Sequence, residues 1–202
     1  MNPSEVPYPE DGTHALAEDC RRCPALCESR TRISWGNGPR DARVVVVGEA
    51  PAAGDPGADR WKGGNLTGAA YTSRASGRKV RALVADAGVG PAYYTNAVKC
   101  HPAGNRDPTE EERTNCRPWL REEVATVAPD AILPTGKHAT ASVFALLGRD
   151  LDGFLDTVLA PVDTEYGRVV PLLHPSYEEV WRSRLGHTRE SYVAALAEAV
   201  SR

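Results

Sequence analysis

Val44-Val45-Val46-Val47-Gly48-Glu49-Ala50-Pro51 is the stretch on which the fold turns. Four β-branched residues without polar alternation predict a strand covered on both faces, as in a parallel sheet. Pro51 cannot continue a hydrogen-bonded ladder and restricts Ala50 before it, so the strand ends at Gly48. Glu49 is thereby left at the carboxyl end of a central strand, where open α/β sheets bind their ligands. A carboxylate in that place is a candidate functional group.

Outward from this strand, units of strand and helix alternate. Val80, Leu83, Val84 and Ala87 recur at helical spacing before Gly88, predicting a helix over 78–87. Ala92 to Val98 reads as a second strand with Asn96 near its carboxyl end. Thr109 and Glu112 form a capping-box pattern that starts a helix running to about Val127. Ala131 to Pro134 is a short third strand, and a helix follows from Lys137 to Leu147. Val169 to Leu173 is a fourth strand running into His174-Pro175-Ser176, and a last helix spans about 188–200. This order predicts one three-layer α/β/α domain over residues 16–202, with a central parallel four-stranded sheet. Right-handed crossovers would gather Glu49, Asn96 and His174 at one edge of it. Residues 1–15 have little to bury and read as a flexible tail.

The chain of 202 residues suffices for one domain with a real core. No apolar run reaches membrane-spanning length, and the polar start is unlike a signal peptide, so a cytoplasmic, monomeric protein is expected. A net charge of −3 gives no global attraction to polyanions. Twenty of the 24 basic residues are Arg, however, and their forks suit local phosphate contacts. In a reducing compartment the five cysteines read as metal ligands. Cys20 and Cys23 form a C-x2-C pair, while Cys100 and Cys116 lie far downstream. Four thiolates from two segments suit a structural zinc or an iron–sulfur cluster. Cys27 reads as a packed thiol beside them.

These pieces together resemble the iron–sulfur uracil-DNA glycosylases of the uracil-DNA glycosylase superfamily. The resemblance rests on the Cys20/Cys23 pair, Gly48-Glu49-Ala50-Pro51, Thr95-Asn96-x-x-Lys99-Cys100, Asn105-Arg106-x-Pro108, Cys116 and His174-Pro175-Ser176, in that order. Gly48-Glu49-Ala50-Pro51 resembles the family-four type. Gly64-Asn65-Leu66-Thr67-Gly68, with Tyr71-Thr72 and Ser76-Gly77, is closer to family five. Arg74 stands where family five usually offers an Asp, and Tyr177-Glu178-Glu179 matches neither type.

The resemblance implies a [4Fe–4S] cluster on Cys20, Cys23, Cys100 and Cys116, in preference to zinc, that braces the DNA-facing surface. It implies hydrolysis of the N-glycosidic bond of uracil, or of another deaminated base, flipped out of DNA to leave an abasic site. Glu49 would stabilise the cationic sugar and orient or deprotonate water, and His174 would donate to O2 of the departing base. Tyr71 would stack on the base and Asn96 would read the edge that separates uracil from cytosine. Gly48, Ala50 and Ser176 complete the expected substrate contacts, and Asn65, Arg182 and Arg184 the expected DNA contacts. The rival expectation is a catalytically silent iron–sulfur or zinc module that only binds nucleic acid. A nucleotide phosphate loop is a poor match, since neither G-x-x-x-x-G-K-[ST] nor G-x-G-x-x-G occurs at Gly48–Gly64.

Overall fold

A computed structural model describes every residue except Asp11 and Arg202. In chain order it contains α1 (Pro24–Ser29), β1 (Val44–Gly48), α2 (Gly64–Thr67), α3 (Ser76–Ala87) and β2 (Ala92–Asn96). Then come α4 (Glu110–Val127), β3 (Ala131–Pro134), α5 (Lys137–Leu146), α6 (Phe154–Thr157), β4 (Val162–Thr164), β5 (Gly167–Val169), α7 (Glu178–Arg184) and α8 (Arg189–Ser201).

The valine strand is central, as its composition requires. The sheet order is β2-β1-β3-β5-β4, and β1 pairs in parallel with both β2 and β3. Successive side chains of β1 point to opposite faces. Val44 and Val46 pack with Val80, Leu83, Tyr192 and Leu196 of α3 and α8. Val45 and Val47 pack with Leu120, Val124, Val143 and Phe144 of α4 and α5. All four valines are fully buried, and the domain has three layers.

The sheet has five strands, where four were expected, and it is not wholly parallel. β5 pairs with β3 in parallel, but β4 runs antiparallel to β5 at the edge. The turn between β4 and β5 is tied by the Thr164 hydroxyl, which donates to the Gly167 carbonyl at 2.6 Å. Val-Asp-Thr and Gly-Arg-Val carry too little apolar alternation to reveal such a hairpin. The expected fourth strand, 169–173, begins and ends earlier, because Pro171 has no N–H to donate. Its backbone still runs beside β3: the Leu172 amide bonds the Pro134 carbonyl at 2.8 Å. This extension carries the chain to His174.

The first residues differ from the expected tail in their contacts, Asp11 lying outside the described residues. Val6 is buried with Trp61 and Ala82, and Tyr8 meets Trp61 edge-on at 5.2 Å. The segment between His174 and the last expected helix contains α7. Its Glu178 accepts from Arg182 one turn later at 2.6 Å, which suits a helix.

Candidate active site

Chain order places β2 on one side of β1 and β3 on the other, so a crevice opens beyond the carboxyl ends of β1 and β3. A cleft of about 1550 Å³ occupies that position. It exceeds the roughly 300–1,000 Å³ of a drug-sized pocket, leaving room for a nucleotide and its flanking strand. Gly48, Glu49, Ala50, Tyr71, Asn96, His174 and Ser176, all expected from sequence, line it together.

The floor is Gly48. A Cβ there would fall 2.3 Å from Asn96 Oδ1 and 2.9 Å from the Tyr71 hydroxyl, so only glycine lets both side chains close over the strand end. Tyr71 adopts φ 54°, and its hydroxyl lies 2.6 Å from Thr135 Oγ1 at the end of β3. Burial pushes its phenol well above the usual range, so it stays neutral as a stacking ring or hydrogen-bond donor.

Glu49 follows β1, and the loop after it is latched from two sides. The Pro51 carbonyl lies 3.2 Å from His101 Nδ1, and Asn105 Oδ1 accepts from the Ala53 amide at 2.8 Å. Glu49 Oε1 is buried and has no hydrogen-bond partner. Burial is the main cause that raises its pKa, with Asp107 raising it further and His138 and Arg113 opposing.

His174 sits opposite, against the start of α5. A Cβ on Gly136 would come within 3.0 Å of the His174 Cβ, and Gly136 has φ 90°, so glycine is needed there on both counts. Burial depresses the His174 pKa, with His138 adding to the effect, which favours neutral imidazole. The Ser176 amide donates to His174 Nδ1 at 3.2 Å. An acceptor at Nδ1 puts the proton of the neutral ring on Nε2, making that nitrogen a donor.

Beneath Asn96 lies a buried ion pair. Lys99 Nζ is 2.5 Å from Glu123 Oε2, and both side chains are only 1% exposed. Lys99 also donates to the Asn96 carbonyl at 2.5 Å and to Thr95 Oγ1 at 2.7 Å. Glu123 accepts in addition from the Gly36 amide at 3.0 Å and the Thr95 hydroxyl at 2.6 Å. The backbone of Asn96 is thus clamped from below.

The expected DNA contacts fare differently. Asn65 is buried: its Oδ1 accepts from the Thr31 amide at 2.8 Å and its Nδ2 donates to the Ala53 carbonyl at 3.1 Å. It braces the loop from within, both of its polar atoms being engaged inside the protein. Arg182 is turned onto Glu178 and the His187 carbonyl. Arg184 lies over the Trp181 ring at 4.8 Å; Trp181 lines the cleft and Arg184 does not. Sequence reasoning missed Thr135, Asp107 and His138, which also line the cleft. The reasoning that singled out Glu49 applies equally to the end of β3, and there it points to Thr135 and His138.

The cysteines collect beyond the carboxyl end of β2, where Cys100 follows Asn96 by four residues. Cys23, Cys100 and Cys116 share an apolar cluster with Leu26 and Val98. N–H donors face their sulfurs: Arg30 Nη1 lies 3.2 Å from Cys100 Sγ, Asn115 Nδ2 3.5 Å from Cys23 Sγ and the Lys99 amide 3.5 Å from Cys116 Sγ. Cys27 Sγ points to the Cys20 carbonyl at 3.7 Å. Thiolates around one zinc at about 2.3 Å stand roughly 3.8 Å apart. Among the described residues, no three cysteine sulfurs lie within 4.8 Å of one another. The donor set, all sulfur, is of the kind that holds a structural zinc or an iron–sulfur cluster.

Comparison with known proteins agrees with this arrangement. The Uracil DNA glycosylase superfamily profile matches residues 35–199. The chain is 35% identical to a type-5 uracil-DNA glycosylase of Pyrobaculum aerophilum, covering 91% of this chain and 87% of that one. It is 32% identical to a type-4 uracil-DNA glycosylase of Thermotoga maritima over 90% of this chain and 88% of the relative. A type-5 enzyme of Mycobacterium tuberculosis matches at 29% over 87% and 75% of the two chains. With both types matched at nearly equal identity, and with the expected strand-end residues meeting in one cleft, the chain belongs to the uracil DNA glycosylase superfamily.

Proposed function

We propose that the protein is a monofunctional DNA glycosylase that excises uracil from DNA. The reading is carried by the convergence of Glu49, Asn96 and His174, from three strand ends, on one cleft. A flipped base enters beside Tyr71, and Asn96 offers both a donor and an acceptor to the pyrimidine edge. A base with the wrong edge leaves these groups unpaired, and that penalty supplies discrimination.

As the bond between C1′ and N1 stretches, positive charge builds on the sugar and negative charge on the base. His174 Nε2–H donates to the base oxygen, so the electron pair of the broken bond leaves on a stabilised anion. Glu49 faces the sugar as a carboxylate and accepts a proton from the attacking water. Its unpartnered oxygen supports this role, because a group saturated with hydrogen bonds has no capacity left for substrate. Lys62, Arg74 and Lys137 are the basic residues that line the cleft and would meet a phosphate there.

Cys20, Cys23, Cys100 and Cys116 would hold a [4Fe–4S] cluster, which supplies a structural brace and takes no part in bond cleavage. It would tie the segment before α1 to α4 and to the residues that follow Asn96. A brown colour with iron in stoichiometric amount, and no zinc, is the expected result of metal analysis.

Incubation with a uracil-containing oligonucleotide followed by alkali should break the strand at uracil. Parallel substrates containing hypoxanthine, xanthine or mismatched thymine define the substrate range. Binding without base release from any of them, by protein with its metal intact, would favour the silent-module alternative.

A further inference from the structure

Glu49 does not face the cleft alone. Its carboxylate, Asp107 and the His138 imidazole each offer an atom within 4.8 Å of the other two. Asp107 precedes α4 and His138 is the second residue of α5, so three separate segments supply them. His138 Nε2 lies 3.3 Å from Asp107 Oδ2. One water at about 2.8 Å from two acceptors, in tetrahedral directions, spans roughly 4.6 Å between them. The two carboxylates, no more than 4.8 Å apart, are close enough for one water to bridge them, and Glu49 Oε1 has no protein partner.

Resting on the glycosylase reading above, we propose that Asp107 shares with Glu49 the water that attacks C1′, and that His138 positions Asp107 for it. The water donates one hydrogen bond to each carboxylate, which leaves a lone pair for the sugar. Its oxygen forms the new bond to C1′ as the C1′–N1 bond breaks and its electron pair departs on the base. The water's proton goes to Glu49 and then passes through Asp107, whose side chain is 68% exposed, to solvent. His138, with Nε2 3.3 Å from Asp107 Oδ2, keeps that carboxylate turned towards Glu49.

The charges around Glu49 make this testable beyond loss of rate. Asp107 raises the Glu49 pKa, while His138 from α5 and Arg113 from α4 lower it. His174, on the opposite wall, also feels His138. Removing Asp107 and removing His138 should therefore move the acid limb of activity in opposite directions.

The experiment is single-turnover excision of uracil between pH 4.5 and 9 by wild type, Asp107→Asn, His138→Ala and His138→Gln. Binding is measured with DNA carrying 2′-fluoro-deoxyuridine, which resists cleavage. Asp107→Asn and His138→Ala should slow excision about tenfold to a hundredfold, with affinity for the fluorinated DNA unchanged. The acid limb should move down in Asp107→Asn and up in His138→Ala, and His138→Gln, which keeps a donor, should recover much of the rate. Unaltered melting curves show that folding is intact. Wild-type rates and limbs in both variants overturn the proposal, as does a loss of affinity equal to the loss of rate, which marks a DNA contact. A wild-type protein that releases no uracil is a separate outcome, since it removes the glycosylase reading itself.

Discussion

Two glutamates differ in how their carboxylates are met: Glu123 is fully buried, and Glu49 is half-buried at the cleft. Glu123 is saturated: Lys99, Thr95 and the Gly36 amide all donate to it. Glu49 keeps a buried oxygen with no partner. Burying a charge costs several kcal/mol unless it is paired and hydrogen-bonded. Glu123 meets that cost locally and serves architecture. Glu49 leaves it unmet, and the cleft it faces is where a substrate completes its hydrogen bonding.

The largest expected effect comes from breaking the saturated partner. Lys99→Met strands a buried carboxylate and should cost about 3–5 kcal/mol of folding free energy, read by chemical denaturation. Pairing it with Glu123→Leu should restore much of that loss, since no unpaired charge remains. On the cleft side, His174→Ala removes one donor to the leaving base and should slow single-turnover excision about a hundredfold to a thousandfold, without matching loss of stability. Tyr71→Phe keeps the ring but deletes the bond to Thr135, so about 1 kcal/mol in stability and a modest loss of rate are expected.

The smallest effect, at Glu49, sharpens the contrast most, because its sign is opposite to that of the same substitution at Glu123. Burial raises the folded pKa of Glu49 above its value in the unfolded chain. Between those two values the folded state binds more protons than the unfolded state, so stability falls as pH rises through that window. Glu49→Gln removes this penalty and should raise the melting temperature slightly at neutral pH, leaving it nearly unchanged below pH 4. Glu123→Gln should lower it at neutral pH. Melting curves for the two variants side by side check both signs.

Much of this contrast was legible in the sequence on one side only. Uninterrupted valines before Gly48 and Pro51 determine both the central strand and the place of Glu49, because local sterics end the strand there. Thr109 and Glu112 mark the start of α4, where both halves of the capping box form. The β4–β5 hairpin was hidden because a Thr164 side chain and the backbone of Gly167 make it, with little apolar patterning. Asn65 looks like a surface polar residue in sequence, yet partners at Thr31 and Ala53 draw it inward, while Arg182 is held locally by Glu178 and His187. The Lys99–Glu123 pair was equally out of reach, since 24 residues separate its members. Asp107 becomes visible as a cleft residue only once α4 and α5 are packed on the same face of the sheet.

The central claim is that the unpaired carboxylate of Glu49 acts on the substrate. Its most direct test is the single-turnover rate of uracil release by Glu49→Gln, at a temperature where its melting curve shows it fully folded. A fall of at least about a hundredfold, with uncleavable uracil-DNA still bound, is the predicted result. Release at the wild-type rate would contradict the account.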